Sequence, residues 1–382
     1  MQTTLRAGLA LMFVLVARLA GAADLPPEQV TVGTLPSGNP YRLYLADVAI
    51  SHIVDGRLHV VDGDTLKYLG VIGTGLTGLT TLSPDRREIY VATTYLSRLN
   101  RGTRTDQVDV YDSQTLTLKA EIVIPPKHAQ ALPYKGVIAT TPDGRFIIVQ
   151  NATPASSVSV VDRKSANFVA EIPTPGCWAI LPAQSANNRF STICGDGSLL
   201  TITLNADGTA ATQERSERLF DPDKQPVFTQ AEREGDTYYF LSFDGHLFSA
   251  NLGGKVAQIG DSWSLVDADD EKNAWRPGGY QPLALHPETG QLFVAMHPKG
   301  TEGSHKNPAA EIWAFDLKTR KRIARAAGNN AVALAVSRGK APRLFAIDPL
   351  TAGIVSYETS PTLMPLKRVD GFGEAPSQIE TH

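Results

Sequence analysis

The chain repeats one short pattern along its length: a strand-like run that ends in Asp or Asn and is followed at once by a turn. Examples are LHVVDGDTL at residues 58–66 and IWAFDLKTR at residues 312–320. The pattern returns about every 45 residues, a spacing typical of repeat architectures. Its acid or amide stands at Asp62, Asp112, Asp162, Asn205, Asn251 and Asp316, with a degenerate copy near Tyr357.

A period of this length, with about four short strands in each unit, predicts a β-propeller. Helical patterns are almost absent, and a second recurring element places a Pro-Asp or Pro-Glu turn between two strands, as in IATTPDGRFIIVQN. A single blade cannot bury both of its faces, so each blade packs on its neighbours. Seven copies therefore predict an all-β, seven-bladed β-propeller that fills residues 23–382 as one domain.

The N-terminal residues predict a leader for export. Arg6 precedes the apolar run Ala7–Ala17, and small residues follow at 20–23, the order found in secretory signals. The alternative is an uncleaved membrane anchor, but Arg18 interrupts the run well short of the roughly 20 apolar residues that a span needs. We expect residues 1–22 to be removed, or 1–23 if cleavage falls one residue later.

Charge and cysteine content narrow the possible partners further. The formal net charge is −3, which argues against nucleic acid, because nucleic-acid binding favours a strongly basic face. The two cysteines, Cys177 and Cys194, lie in the exported part, where thiols commonly pair. We therefore expect a disulfide between them; a catalytic or metal-binding role is the alternative, although no CxxC is present.

Two motifs are weighed and set aside. Gly73, Gly75 and Gly78 have the GxGxxG spacing of a dinucleotide loop, but a strand, a turn and a strand follow them instead of a helix. We read these glycines as a bend between blades. His286, His297 and His305 suggest a metal site, but their spacing matches no compact metal-binding motif. No nucleophile motif such as GxSxG occurs, so we expect neither a catalytic residue nor a metal on this chain.

Four long segments resemble the large subunit of quinoprotein amine dehydrogenases. They resemble the aromatic amine dehydrogenase branch most and methylamine dehydrogenase more distantly, and the resemblance runs from about residue 41 to about residue 369. The segments are TTYLSRLNRGTRTDQVDVYDSQTL, IPTPGCWAILP, FSTICGDGSLLTITL and WRPGGYQPLALHPETGQLFVAMHPKGTEGSHKNPAAEIWAFDLKT.

The resemblance implies that this chain is one subunit of a larger enzyme and carries no cofactor of its own. Large subunits of this family are seven-bladed propellers in periplasmic α2β2 complexes. Their cofactor, tryptophan tryptophylquinone, is built on the small subunit. Primary amines are oxidised to aldehyde and ammonia, and electrons pass to a type I copper protein such as azurin or amicyanin. Besides the leader, no segment of the sequence is expected to cross a membrane, so we expect no membrane partner, and net charge argues against nucleic acid.

Two sets of site residues follow from the resemblance. In the resembling subunits a phenylalanine lines the channel to the quinone; aligning on Asp47 and Asp62 puts Ile50 at or beside it, with His52 close by. The alternative is that Ile50 packs beneath its loop. The stretch equivalent to RxxRGxRxD belongs to the assembly surface, so we expect a subunit interface that includes Arg98, Arg101, Arg104, Trp275 and Arg276.

The interface and the function of the whole chain each have an alternative. The arginine loop could instead be a solvated loop held by Arg104 and Asp106. For the whole chain, the alternative is a free-standing periplasmic propeller that acts as a ligand-binding protein or a lactonase-like hydrolase. A lactonase would need a central metal held by acids and Asn at the blade ends, and the sequence shows no such set.

Overall fold

The computed structural model describes residues 31–130 and 134–382, and residues 34–382 form one compact unit. The expected leader, residues 1–22 or 1–23, lies outside the described residues. Within them the chain is built from antiparallel β-sheets, so the all-β prediction is confirmed. Six sheets are present in this part of the chain. One of them has seven strands and the others have four or five, an arrangement consistent with a propeller.

The seven-stranded sheet joins the first and last strands of the described residues. The C-terminal strand pairs with the first strand, so that residues far apart in the sequence share one sheet. In sheet order the strands are β28 (Pro376–Thr381), β1 (Arg42–Asp47), β2 (Gly56–Asp62), β3 (Lys67–Leu82), β4 (Glu88–Leu96), β5 (Arg104–Asp112) and β6 (Leu118–Ile124).

Strand β3 serves two parts of this sheet because it bends at its glycines. Its first half pairs with β2 as far as Gly75, and its second half pairs with β4 from Leu76 onward. Gly75 has φ +60, a left-handed conformation that favours glycine. The GxGxxG segment is therefore a bend inside a long strand, as the sequence predicted.

Each of the next three sheets is built from four strands that are consecutive in the sequence. The second contains β7 (Ile138–Thr140), β8 (Phe146–Asn151), β9 (Ser157–Asp162) and β10 (Asn167–Pro173). The third contains β11 (Cys177–Pro182), β12 (Arg189–Cys194), β13 (Ser198–Leu204) and β14 (Ala210–Arg218). The fourth contains β15 (Val227–Glu234), β16 (Thr237–Ser242), β17 (His246–Asn251) and β18 (Gln258–Ser264).

A connection with the only α-helix of the described residues leads to the last two sheets. This helix is α1 (Ala268–Lys272), and short 3-10 turns occur at Ile50–His52 and Ser304–Lys306. The fifth sheet contains β19 (Arg276–Pro277), β20 (Leu283–His286), β21 (Gln291–His297), β22 (Ala309–Asp316) and β23 (Lys321–Ala331). The sixth contains β24 (Ala333–Val336), β25 (Arg343–Asp348), β26 (Gly353–Glu358) and β27 (Met364–Val369).

The repeated Asp stabilises the tight turn that follows the strand on which it lies. Asp62 at the end of β2 accepts hydrogen bonds from the backbone amides of Asp64 and Thr65, at 3.0 and 2.8 Å. Asp112 does the same for Gln114 and Thr115. A short carboxylate side chain that binds the backbone two and three residues on stabilises a tight turn. This local chemistry explains why the pattern recurs.

The core is divided among the spaces between neighbouring sheets. Seven clusters of buried apolar side chains fill these spaces in the described residues. One of them lies within the seven-stranded sheet, where Leu58 and Val60 of β2 pack with Ile89 and Val91 of β4. The two halves of that sheet therefore pack face to face, like two separate sheets.

Candidate functional site

The strands of each sheet run in alternate directions, which sorts the connecting loops onto two ends of the molecule. The C-terminal ends of the innermost strands meet around one cavity, which we call the cavity end. These strands are β3, β7, β11, β15, β20, β24 and β28. The next strand of each sheet runs antiparallel and so ends on the opposite side. We call that side the loop face and define it by loops 48–55, 97–103, 265–282, 298–308, 349–352 and 370–375.

Both expected sets of site residues lie on the loop face. Ile50 and His52 are in loop 48–55 between β1 and β2, and Arg98 and Arg101 are in loop 97–103 between β4 and β5. Trp275 and Arg276 belong to the connection from β18 to β20, which reaches the same side. Antiparallel pairing alone brings these distant segments to one end of the molecule.

Loop 48–55 presents an apolar residue to solvent. Ile50 begins the 3-10 turn and is 61% exposed, so it does not pack beneath its loop. The preceding residue, Ala49, has φ 44, which turns the chain outward. His52 is exposed and its Nδ1 lies 3.2 Å from Oε2 of Glu374, while the backbone amide of Ser51 donates to Oε1 of the same carboxylate at 3.1 Å.

A buried carboxylate anchors this loop to the last connection of the chain. Asp47 accepts hydrogen bonds from the backbone amides of Glu374 at 2.7 Å, Ala49 at 2.8 Å and Ala375 at 3.0 Å. Its Oδ2 also lies 3.4 Å from Nε2 of His59. Burial alone would raise the pKa of Asp47, but the hydrogen bonds from His59 and the three amides outweigh burial and lower the pKa to about 2.

Loop 97–103 is the tip of a hairpin. Strands β4 and β5 pair along their whole length up to Leu96 and Arg104, so the loop lies within one sheet. Their register extends into the tip, where the Arg98 amide donates to the Arg101 carbonyl at 2.9 Å. Both arginine side chains are exposed. Between them Leu99 is 77% exposed, so the tip presents an apolar side chain flanked by two cations.

Arg104 differs from the other two arginines because its guanidinium is engaged within the chain. Nε and Nη2 donate to the two oxygens of Asp106, each at 2.6 Å. Asp106 is buried and also accepts from Thr94 Oγ1 at 2.8 Å, and it lies 2.8 Å from Nδ1 of His128. These hydrogen bonds hold the pKa of Asp106 well below its usual range despite its burial. The interpretation that Arg104 ties the loop down through Asp106 matches this geometry.

Trp275 and Arg276 are also partly used by the fold. Trp275 packs against Trp313 with 5.2 Å between ring centroids, and the guanidinium of Arg325 lies over both rings. Arg276 belongs to β19, which pairs with the end of β21 at His297. Both residues remain partly exposed. They contribute an ordered edge to the loop face.

Sequence reasoning missed two apolar residues and one acid on this face. Leu350, in loop 349–352, is 75% exposed, and Leu99 has been described above. Glu374 holds the Ile50 turn from the opposite end of the chain. A large aliphatic residue inside a turn is a signal that the sequence offered for Leu99 and Leu350. Nothing local could have indicated Glu374, because its partner lies more than 300 residues away.

The cysteines and histidines have structural partners. Cys177 and Cys194 face each other across β11 and β12 and form the expected disulfide. His286 Nδ1 lies 2.9 Å from Thr289 Oγ1, and the His305 ring stacks on Phe243 with 4.2 Å between centroids. No group of three or more His, Cys, Asp or Glu side chains that could hold a metal occurs within residues 31–130 and 134–382. No helix in those ranges is long and apolar enough to cross a membrane.

Solved structures with the same fold have diverse descriptions. A functionally unknown protein from Desulfotomaculum acetoxidans is 12% identical, with a TM-score of 0.61 over 89% of this chain and 98% of that chain. A putative 6-phosphogluconolactonase from Bacteroides uniformis is 12% identical, with a TM-score of 0.63 over 90% of this chain and 100% of that chain. Identities this low show the fold alone.

Curated relatives are more informative because they match in sequence over nearly the whole chain. The methylamine dehydrogenase heavy chain of Methylophilus methylotrophus is 24% identical, covering 99% of this chain and 95% of the relative. The heavy chains of Methylorubrum extorquens and Paracoccus versutus are 27% and 28% identical, each over 95% of this chain and over 87% and 83% of the relatives.

A family model agrees with these relatives. The model described as methylamine dehydrogenase heavy chain (MADH) matches residues 39–382. The match covers the first strand, the last strand and every sheet between them. It confirms the resemblance to large subunits of quinoprotein amine dehydrogenases. The chain belongs to the methylamine dehydrogenase heavy chain family.

Proposed function

We propose that this chain is the large subunit of a periplasmic amine dehydrogenase that oxidises primary, aromatic amines to aldehyde and ammonia. The quinone cofactor, tryptophan tryptophylquinone, is carried by a small subunit in an α2β2 complex. Electrons leave to a type I copper protein such as azurin or amicyanin. This chain holds the small subunit and shapes the entrance to its substrate channel. The observation that carries the proposal is the heavy-chain family match over residues 39–382.

The loop face supports the proposed docking of the small subunit. Three loops of this face each carry an exposed aliphatic side chain near their tips: Ile50, Leu99 and Leu350. Each loop follows the second strand of its unit, and these units are neighbours: the unit of Leu350 packs against that of Ile50, which packs against that of Leu99. Exposed aliphatic residues grouped with arginines are typical of a protein interface. Arg98 and Arg101 add cations that suit carboxylates or carbonyls of a partner chain.

The entrance to the substrate channel is proposed at Ile50 and His52. Ile50 projects from the loop face with 61% of its surface exposed, so it is free to contact a partner or a substrate. Its position is fixed by the Asp47 hydrogen bonds and by Glu374. Isoleucine lacks the aromatic face of the phenylalanine in the resembling subunits, so the shape of the entrance differs from theirs.

We further infer that the sheets form seven blades. The two halves of β3 belong to different pairings, and an apolar cluster separates the two halves of the seven-stranded sheet. Dividing that sheet at β3 gives seven units. The innermost strands contact one another in the order β3, β7, β11, β15, β20, β24 and β28. The pairing of β28 with β1 then joins the last unit to the first.

The proposal is tested by purifying the exported protein with any subunit that accompanies it and assaying a panel of primary amines against a dye acceptor. We expect amine-dependent dye reduction by the complex, with aromatic amines among the best substrates, and no turnover by this chain expressed alone. Turnover by the isolated chain would contradict the scaffold role. A purified protein with no second subunit and no amine oxidation would favour a free-standing propeller instead.

A lactonase-like hydrolase receives no support beyond the fold. The likeness to a putative 6-phosphogluconolactonase is at 12% identity, which carries the architecture and no activity.

A further inference from the structure

The proposed function assigns no role to the cavity at the cavity end. Its volume is about 500 Å³, within the roughly 300–1,000 Å³ range of small-molecule sites. It lies on the opposite end of the strands from the loop face. Every innermost strand contributes to its wall, including Thr80–Leu82, Ile138–Thr140, Ile180–Pro182, Ala231–Arg233, Ala284–His286, Ala335–Val336 and Gln378–Thr381.

Charged side chains surround this cavity, and some of them neutralise one another. Lys135 Nζ forms an ion pair with Glu232, and Arg86 Nη1 donates to Glu380 at 2.9 Å. Glu288 also belongs to the lining, at an exposed position. The lining therefore has three carboxylates, of which two are paired, and four cations, which are Arg86, Lys135, Arg233 and Arg338.

Two of these cations have no carboxylate partner. In the described part of the chain, no Asp or Glu oxygen lies within 4.0 Å of Arg233 or Arg338. Arg338 is reached by solvent although protein atoms surround it, as expected for a side chain that lines an open cavity. Burial, and then the positive charge of Arg86, lower the pKa of Arg338 to about 10. Unpaired cations held near one another attract an anion.

Polar atoms of the wall are also left without partners. Among the described residues, Arg86 Nε, His286 Nε2 and Gln378 Oε1 are buried and make no hydrogen bond. All three residues line the cavity. Buried polar atoms normally find a partner, so these three mark places behind the lining that ordered water completes. They do not select an anion, because Gln378 Oε1 is an acceptor. The donors that favour carboxylate and phosphate are the unpaired guanidinium groups of Arg233 and Arg338.

The pKa of a neighbouring histidine is lowered in part by the same cations. Tyr44 Oη lies 2.9 Å from Nδ1 of His382, the last residue of the chain. Burial, followed by the charges of Arg42, Arg86 and Arg338, lowers the pKa of His382 to about 4. Cations on separate strands therefore act together at this end of the molecule.

We propose that the cavity binds a small molecule with two anionic groups, either carboxylates or phosphates, held by Arg233 and Arg338. Arg86, which pairs with Glu380, adds positive charge beside them. Two unpaired guanidinium groups on different strands, β15 and the segment after β24, favour a dianion over a single carboxylate. The cavity lies at the C-terminal ends of the innermost strands, opposite the loop face.

The test measures binding by calorimetry at low ionic strength, using the full chain with any subunit that accompanies it. The probes are succinate and citrate for carboxylates, inorganic phosphate and pyrophosphate for phosphates, and acetate as a single-charge control. We expect one dianion class to bind, more tightly than acetate. The R233Q/R338Q variant should weaken that binding about tenfold or more, because it removes both charges.

The matched control is K318Q/K321Q, which removes two exposed lysines at the turn between β22 and β23, outside the cavity lining, and should leave binding unchanged. Failure of every di- or polyanionic probe to bind the wild-type protein would overturn the proposal. Binding that R233Q/R338Q leaves intact, or that K318Q/K321Q weakens equally, would also overturn it. If the double variant does not fold, R338Q alone decides, because its side chain is accessible to solvent. These outcomes are independent of amine oxidation.

Discussion

Ile50, beside His52 at the proposed channel entrance, is the residue whose substitution best tests the proposed influence of this chain on substrate choice. Replacing Ile50 with Phe adds a ring at the proposed channel entrance without disturbing the core, because the side chain is largely exposed. We expect the ratio of kcat/KM between bulky aromatic and small aliphatic amines to shift by about tenfold. A pocket change of this size is worth about 1–3 kcal/mol of discrimination. Steady-state assays of the complex with an amine panel measure the shift.

Ile53 provides the control for this substitution. It lies in the same loop and is 46% exposed, but outside the 3-10 turn that carries Ile50. I53F should leave the ranking of amines unchanged, and both variants should retain the quinone absorbance of the complex. An unchanged ranking in I50F, or equal shifts in both variants, would remove Ile50 from the channel entrance.

The three loop arginines should separate into two classes. R98A/R101A should weaken assembly with the small subunit and leave thermal unfolding unchanged, because both side chains are exposed. R104A should lower the free energy of unfolding by about 1–3 kcal/mol, because it removes two charge-assisted hydrogen bonds from the buried Asp106. Size-exclusion chromatography measures assembly, and denaturant unfolding measures stability. A fully assembled R98A/R101A complex would place these arginines outside the interface.

At the scale of elements, loop 48–55 depends on one ionised carboxylate. The pKa of Asp47 is about 2 in the folded chain, below its value in the unfolded chain, so its ionised form stabilises the fold. This contribution is present above about pH 4 and is lost as the pH falls towards 2. D47N should therefore cost about 2 kcal/mol at pH 7. The difference between variant and wild type should narrow below pH 4.

Denaturant unfolding at several pH values measures this difference. The matched control is D55N, in the same loop, where the carboxylate is about half-exposed and pairs only with Arg57. Its stability should stay within about 0.5 kcal/mol of wild type. A D47N penalty that is the same at pH 7 and pH 2.5 would mean that the charge of Asp47 does not stabilise the loop.

The sequence predicted what local chemistry determines and missed what the topology determines. The turns after β2 and β5 were readable because Asp62 and Asp112 bind the backbone within three residues. The GxGxxG bend was readable because no helix follows it. The hairpin at Arg98 gave no local signal, since its tip lacks an apolar period although its flanking strands pair fully. The expected positions on the loop face came from family resemblance.

At the scale of the molecule, the sheets share their cores with their neighbours, and the first and last strands of the described residues pair in one sheet. The cavity could not be read from the sequence, because its wall combines residues from strands spread between β3 and β28. The same is true of the Glu374 contact with loop 48–55. Contacts between residues this far apart in the sequence form only when the first and last strands pair. The pairing of β28 should therefore control the stability of the whole fold.

Removing β28 should therefore abolish folding of the entire chain. Ile379 is fully buried in a cluster with Leu43, Leu45 and Phe345. Its carbonyl accepts from Gln281 Nε2 at 2.9 Å, and its amide donates to Gln281 Oε1 at 3.2 Å. A chain that ends at residue 375 would expose this cluster and leave β1 as an unpaired edge strand. We expect it to lack a cooperative thermal transition and to bind a hydrophobic dye.

A point substitution tests the packing of Ile379 without removing β28. I379D places a charge in the buried cluster and should cost more than about 3 kcal/mol, because a buried unpaired carboxylate is strongly unfavourable. L366D makes the same change in β27, where Leu366 is 45% exposed, and should stay within about 0.5 kcal/mol of wild type. Thermal and denaturant unfolding of both variants compare the two positions. If I379D unfolds like L366D and the truncated chain retains a cooperative transition, the chain does not depend on joining its ends, and its sheets are stable in an open array.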